Sequence, residues 1–248
     1  MFANAFFSTT NNTKQENTMT NSSRFNDFDT SNPAPRCPVV LLLDVSGSMV
    51  GAPISELNAG LRQFIHETAH DEVASMSVEL EVITFSNGAD AVIPFTPILN
   101  INENFSPLTA DGMTSMGAAL TLAYDHLQAR RKVYRQNGIA SYKPWVILMT
   151  DGDPNDIWQE PAQKMKALAE NRRITYLGIE IGDRCDHGTM CSILPSDPGP
   201  VKLKGLHFRQ FFRWLTDSLN TVSTSSVAQE DRVVLPNADA WVDGLDSM

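Results

Sequence analysis

An unbroken apolar run, "VVLLL" at Val39–Leu43, leads directly into Asp44 and constrains the fold more than any other feature of the sequence. A run of this length without polar alternation is typical of a strand that is buried on both faces. Such a strand needs helices above and below the sheet. The aspartate at its end is followed by Ser46 and Ser48, so the strand presents oxygen atoms where it leaves the core.

Further strands and helices alternate along the chain, which favours a parallel sheet covered on both faces. Val78, Leu80 and Val82 alternate in a strand followed by Asn87-Gly88, and this pattern predicts a hairpin with the segment 89–95. The remaining elements are predicted helices at 52–70, 115–136, 158–171 and 207–222, strands at 143–150 and 173–181, and a short apolar piece at 200–203. The predicted fold class is α/β, with a doubly wound, mainly parallel sheet.

Two aspartates follow predicted strands, Asp44 after the first strand and Asp151 after the strand 143–150. In a doubly wound sheet, ligands bind at the carboxyl ends of strands where the strand order reverses, and these two strands can be neighbours there. An extended loop would turn Asp44, Ser46 and Ser48 to one side, and Thr114 adds a hydroxyl from another loop. This all-oxygen set suits Mg²⁺, which would also offset the repulsion between the carboxylates.

Mg²⁺ takes about six ligands and keeps some waters, so such a set leaves a position open. A carboxylate from a protein partner could occupy that position. The loops Ser46–Ala52, Thr109–Ser115 and Asp151–Trp158 would form the rim, and we expect Met49, Met113 and Trp158 to supply its apolar contacts.

The ordered set "DVSGS", Thr114 in "GMTSMGAAL" and "TDGDP" resembles the metal-ion-dependent adhesion site (MIDAS) of von Willebrand factor type A (VWA) domains. The resemblance covers about residues 37–222. It implies a six-stranded sheet with one antiparallel edge strand, and Asp44, Ser46, Ser48, Thr114 and Asp151 as ligands of Mg²⁺ or Mn²⁺. It also implies a non-enzymatic, metal-dependent protein-binding module.

Four stretches also resemble the bacterial TerY-type proteins of tellurite-resistance and stress-response clusters. They are "PVVLLLDVSGSMVGAPISELNAGL", "VITFS", "LMTDGDPND" and "FFRWLTDSLNTVSTSS". That narrower resemblance implies a protein kinase and a metal-dependent phosphatase as partners.

Enzymatic alternatives fit the residues less well. A haloacid-dehalogenase-like phosphatase could use Asp44 and Asp151, but it needs a second aspartate where Ser46 stands. A serine hydrolase using Ser48, Asp151 and His187 would lack the G-x-S-x-G elbow.

The net charge of −10 disfavours nucleic acid and anionic lipid as partners. The sequence has no apolar segment of membrane-spanning length and no evident signal peptide, so we expect a cytoplasmic protein. Residues 1–36 are expected to form a disordered tail, and 223–248 a tail that either packs back or hangs free.

Two weaker metal-ligand patterns lack a complete set. Cys185, His187 and Cys191 have no evident fourth ligand for a structural zinc ion. His66 and His70 lie four residues apart on a predicted helix but lack a third ligand.

Overall fold

A computed structural model describes residues 32–232 and 234–243, which contain a six-stranded sheet. The strands are β1 (Cys37–Asp44), β2 (Val78–Phe85), β3 (Ala89–Pro97), β4 (Trp145–Thr150), β5 (Thr175–Glu180) and β6 (Val201–Lys202). Their order is β3-β2-β1-β4-β5-β6, and every neighbouring pair is parallel except β2 with the edge strand β3. The predicted fold class, including the antiparallel edge strand, is confirmed.

Six α-helices accompany the sheet in the described residues. They are α1 (Ala52–His70), α2 (Ala74–Ser77), α3 (Met116–Gln136), α4 (Gln159–Glu170), α5 (His187–Ile193) and α6 (Phe208–Ser223). None of the helices in this part of the chain is both long and apolar enough to cross a bilayer.

The apolar run of β1 is explained by two separate cores, one on each face of the sheet. Alternate residues Val39, Leu41 and Leu43 pack in a core that includes Leu57 of α1 and Phe211 of α6. The intervening Val40 and Leu42 belong to a second core with α3 and α4. Successive side chains point to opposite faces of a strand, so a central strand between two helical layers must be apolar at every position.

β1 pairs with β2 on one side and with β4 on the other, both in parallel. The strand order therefore reverses between β1 and β4, as expected from the sequence. This is the switch point of the sheet, and Asp44 and Asp151 stand at its carboxyl edge.

The segment 182–200, which reads as a long loop from sequence, contains the seven-residue helix α5. The Asp186 carboxylate caps this helix by accepting a hydrogen bond from the Thr189 backbone N–H at 2.8 Å. The sequence "HGTMCSI" has no amphipathic period of useful length, so periodicity could not indicate the helix.

Residues at both described ends contact the domain. Arg36 is 3% exposed and its side chain pairs with Glu79 at 3.3 Å; most of the expected N-terminal tail, residues 1–31, lies outside the described part. At the other end, Trp241 is buried and its ring lies 4.9 Å from that of Phe211.

Candidate metal centre

Asp44 is fully buried at the end of β1, with both carboxylate oxygens in hydrogen bonds. Oδ1 accepts from the Ser46 backbone N–H at 2.8 Å, and Oδ2 accepts from the Thr150 hydroxyl at 2.6 Å. Burial raises the pKa of Asp44, the hydrogen bonds oppose that rise, and the nearby charge of Asp151 adds to it. A cation at this position would favour the ionised carboxylate that burial disfavours.

A chain of short contacts joins three of the predicted ligands. The Ser46 and Ser48 hydroxyl oxygens lie 2.9 Å apart, and the Ser48 hydroxyl donates to Oδ1 of Asp151 at 2.5 Å. In octahedral Mg²⁺ coordination with bonds of about 2.1 Å, adjacent ligand atoms lie about 3.0 Å apart. The oxygens therefore already stand close to the spacing that such an ion requires.

The local backbone differs from the extended loop expected for Asp44 to Ser48. Asp44 ends strand β1 and Ser46 is extended, but Gly47–Met49 form a 3-10 turn. The hydroxyls converge because this turn folds Ser48 back beside Ser46, rather than because alternate side chains share one side of an extended chain.

Thr114 arrives from the loop before α3, which is fastened to both other loops. The Gly47 N–H donates to the Gly112 carbonyl at 3.0 Å, and the Asn155 N–H donates to the Thr114 carbonyl at 3.1 Å. Gly112 has a φ of 80°, a conformation that other residues rarely adopt. A Cβ built on Gly152 would stand 3.7 Å from the Thr114 hydroxyl oxygen, so that hydroxyl lies beside the loop that carries Asp151.

Asp156 supports this arrangement in a way that the sequence did not indicate. Its two carboxylate oxygens accept from the backbone N–H groups of Gly117 and Ala118, each at 2.8 Å. It thereby caps the N-terminus of α3, the helix that Thr114 precedes, from a distant loop. A Cβ on Gly117 would stand 2.2 Å from the Ile157 carbonyl oxygen, so only glycine permits this close approach.

The five predicted residues lie on adjoining loops at one edge of the sheet. Two carboxylates and three hydroxyls are hard oxygen donors, which Mg²⁺ and Mn²⁺ prefer. Softer metals prefer sulfur or nitrogen ligands. The residues present fit such an ion.

The apolar rim differs in part from the sequence expectation. Met49 is fully buried in the core, so it is not available to a partner. Met113 is 57% exposed as expected, and the exposed apolar neighbours are Val50 at 61% and Ile157 at 84%. In the 3-10 turn that places Ser48, Met49 faces inward and Val50 outward.

The serine-hydrolase and cysteine-based sets named from the sequence are not brought together in the described residues. Ser48 contacts Asp151 directly, whereas His187 pairs with Glu180 at 2.8 Å instead of with the serine. Cys185, His187 and Cys191 do not bring their ligand atoms together as a group of three in the part of the chain that the structure describes.

The profile of the von Willebrand factor type A domain matches residues 39–200, and the chain belongs to this family. Proximal thread matrix protein 1 from the mussel byssus is similar in fold, with 19% identity over 75% of this chain and 48% of that chain and a TM-score of 0.54. A second structure of the mussel protein, described as having a zinc-occupied MIDAS motif, gives 17% identity over 74% and 48% of the two chains and a TM-score of 0.50.

The ArnB paralog VWA2 from Sulfolobus acidocaldarius gives 15% identity over 75% and 46% of the two chains and a TM-score of 0.52. The chain thus spans about half the length of these solved structures. Comparison with curated proteins finds no match. Family membership supports a metal-dependent protein-interaction module.

Proposed function

We propose that the protein is a non-enzymatic module that binds a protein partner through a Mg²⁺ ion, or Mn²⁺ in its place. The ligands are Asp44, Ser46, Ser48, Thr114 and Asp151. The observation that carries this proposal is the chain of oxygen contacts from Ser46 through Ser48 to Asp151, at 2.9 and 2.5 Å.

An aspartate or glutamate of the partner completes the metal shell. Only two protein carboxylates face the doubly charged ion, so a third carboxylate gains strongly from binding it. The chain carries a net charge of −10, which repels acidic surfaces. The partner's acidic residue therefore stands within a neutral or basic surface.

Exposed apolar side chains supply the second part of the binding surface. Val50, Met113 and Ile157 are each more than half exposed and belong to the three loops that carry the ligands. Interfaces commonly combine a few apolar anchors with a small number of placed charges.

The TerY-type resemblance makes a protein kinase and a metal-dependent phosphatase the first partners to test, in a cytoplasmic stress response. It rests on sequence stretches alone, since the solved structures described above have other names. A haloacid-dehalogenase-like phosphatase is the alternative function, but the position for its second aspartate holds Ser46.

The test is capture of partners from the native cell with Mg²⁺ and again with a chelator, followed by affinity measurement on one captured protein. We expect chelation, Thr114→Ala and truncation of the partner's carboxylate each to weaken binding at least tenfold, because each removes part of the metal bridge. Thr96→Ala is the matched control, since Thr96 lies near the C-terminal end of the edge strand β3, away from the proposed metal ligands. Equal affinities with Mg²⁺ and with chelator would refute the proposal.

A further inference from the structure

His66, His70 and Glu103 form a side-chain cluster on the surface of α1, away from the site described above. The ligand atoms that they offer lie within 4.8 Å of one another, and they are the only such group of three or more in the described residues. The His66 and His70 rings stand 4.2 Å apart, and His66 Nδ1 lies 3.1 Å from Glu103 Oε2. We propose that this cluster is a second metal site, specific for Zn²⁺ or a similar transition-metal ion.

The third ligand is held in place by the way its loop lies along α1. Asn58, Arg62, His66 and His70 follow one another at intervals of four residues and so line one face of the helix. Asn58 exchanges two hydrogen bonds with the backbone of Leu108, at 2.8 and 2.9 Å. Arg62 donates to the Phe105 carbonyl at 3.2 Å and lies over its ring. These contacts fasten the loop 101–108 to the helix face and bring Glu103 to the two histidines.

The histidine geometry suits ligation. His70 Nδ1 lies 2.8 Å from the His66 carbonyl oxygen, so this nitrogen carries a hydrogen, and in the neutral ring the Nε2 lone pair is available to a metal ion. Metal-binding histidines typically donate their other ring N–H to a carbonyl or carboxylate in this way. In a tetrahedral zinc site with bonds of about 2.0 Å, ligand atoms stand about 3.3 Å apart. Small rotations of three exposed side chains bring the cluster to that spacing.

The ligand types separate this cluster from the oxygen site. Two imidazoles and one carboxylate are a set that zinc accepts, whereas Mg²⁺ prefers oxygen ligands. Three protein ligands leave a fourth position for water. The sites are also distant, because 14 residues of helix separate His66 from the start of α1, a length of about 21 Å.

The test titrates the full chain with ZnCl₂ while millimolar Mg²⁺ occupies the oxygen site. We expect one Zn²⁺ to bind, with affinity reduced at least tenfold by His66→Gln, His70→Gln and Glu103→Gln. All three side chains are exposed, so circular dichroism in chelator should show unchanged folding. His187→Gln is the matched control, because His187 also pairs with a glutamate but has no second histidine beside it.

Imidazole nuclear magnetic resonance gives an independent readout, since the chain has only five histidines. Zn²⁺ should shift the ring signals of His66 and His70 and leave those of His126 and His207 in place. Unchanged zinc affinity in all three variants, or an equal loss in His187→Gln, would overturn the proposal. Complete displacement of Zn²⁺ by Mg²⁺ would do the same, since it would place the ion in the oxygen site.

Discussion

The Ser48 hydroxyl donates a hydrogen bond to Asp151 at 2.5 Å although 103 residues separate the two in the chain. The bond joins the loop after β1 to the loop after β4. The Ser48 hydroxyl oxygen has two lone pairs besides its hydrogen, so it can coordinate a cation while still donating to Asp151. The hydrogen bond and the metal bond are therefore compatible, and the two loops are held together with or without the ion.

Mg²⁺ should raise the melting temperature of the protein, because a ligand that binds only the folded state stabilises it. The gain is about 2.7 kcal/mol at a free concentration a hundredfold above Kd. Asp151→Ala should abolish the rise seen by scanning calorimetry, whereas the control Asp217→Ala should keep it, since Asp217 is exposed on α6. A rise of equal size in all three proteins would show that the ion binds elsewhere.

Asp156→Ala should lower the free energy of unfolding by about 1 kcal/mol, the usual cost of losing a helix cap. The variant removes the acceptor for two backbone N–H groups at the start of α3. Since Thr114 precedes that helix, Mg²⁺ affinity should also fall, which calorimetric titration can measure. Stability loss with unchanged Mg²⁺ affinity would mean that the cap does not position Thr114.

Glu79→Ala should be the most destabilising of these changes, lowering the free energy of unfolding by about 3–5 kcal/mol. The substitution removes one partner of a buried ion pair and leaves the opposite charge buried without compensation. Glu79 is 1% exposed and its carboxylate meets Arg36 at 3.3 Å, Arg130 at 2.6 Å and the Tyr134 hydroxyl at 2.5 Å. Urea denaturation gives the measurement.

Glu170→Ala, at the exposed end of α4, is the control for that change and should stay within about 0.5 kcal/mol of the wild type. If Glu79→Ala were equally mild, the buried ion pairs would contribute no net stability.

The His126–Glu81 pair should make stability fall as pH rises. Their closest atoms lie 2.6 Å apart; the hydrogen bond to Glu81 raises the pKa of His126, and burial raises the pKa of Glu81. Both groups therefore hold protons more tightly in the folded state than in the unfolded state. The pair's contribution begins to fall above the ordinary glutamate pKa of 4.5, and the histidine part is lost only above 6.5.

Comparison of wild type with His126→Gln checks this dependence. Denaturation between about pH 5 and pH 8 should show the stability advantage of the wild type shrinking as pH rises. If the stability difference between wild type and His126→Gln stayed constant across this pH range, the His126–Glu81 pair would not be the source of the pH dependence.

The sequence was most informative where periodicity and local chemistry agree. The helix expected at 52–70 has those same bounds in the structure, because Pro53 suits its first turn and its apolar stripe is regular. The hairpin at Asn87-Gly88 and the neighbouring positions of Asp44 and Asp151 follow from equally local signals and from the rule for parallel sheets.

The features that were missed depend on contacts between distant parts of the chain. Glu103 approaches His66 only because loop 101–108 folds along α1, and no pattern in either segment shows this. Glu79 and Glu81 read as the polar face of an alternating strand, yet Arg130 and His126 of α3 cover them. The 3-10 turn buries Met49, whereas the next residue, Val50, is exposed. Residue type alone does not show which of two adjacent apolar residues faces the core.

The packed C-terminal segment has a consequence for how separate molecules meet. The Lys204 N–H bonds to the Trp241 carbonyl at 2.8 Å and the Asp243 N–H to the Lys202 carbonyl at 2.9 Å, which occupies the outer side of β6. On the opposite side of the sheet, Pro94 and Pro97 interrupt the donors of β3. Open strands recruit strands from other chains and so begin aggregation. Here the edge strand β6 is already paired and prolines remove donors from the edge strand β3. Two copies of this domain therefore cannot readily pair their edge strands to form one continuous sheet.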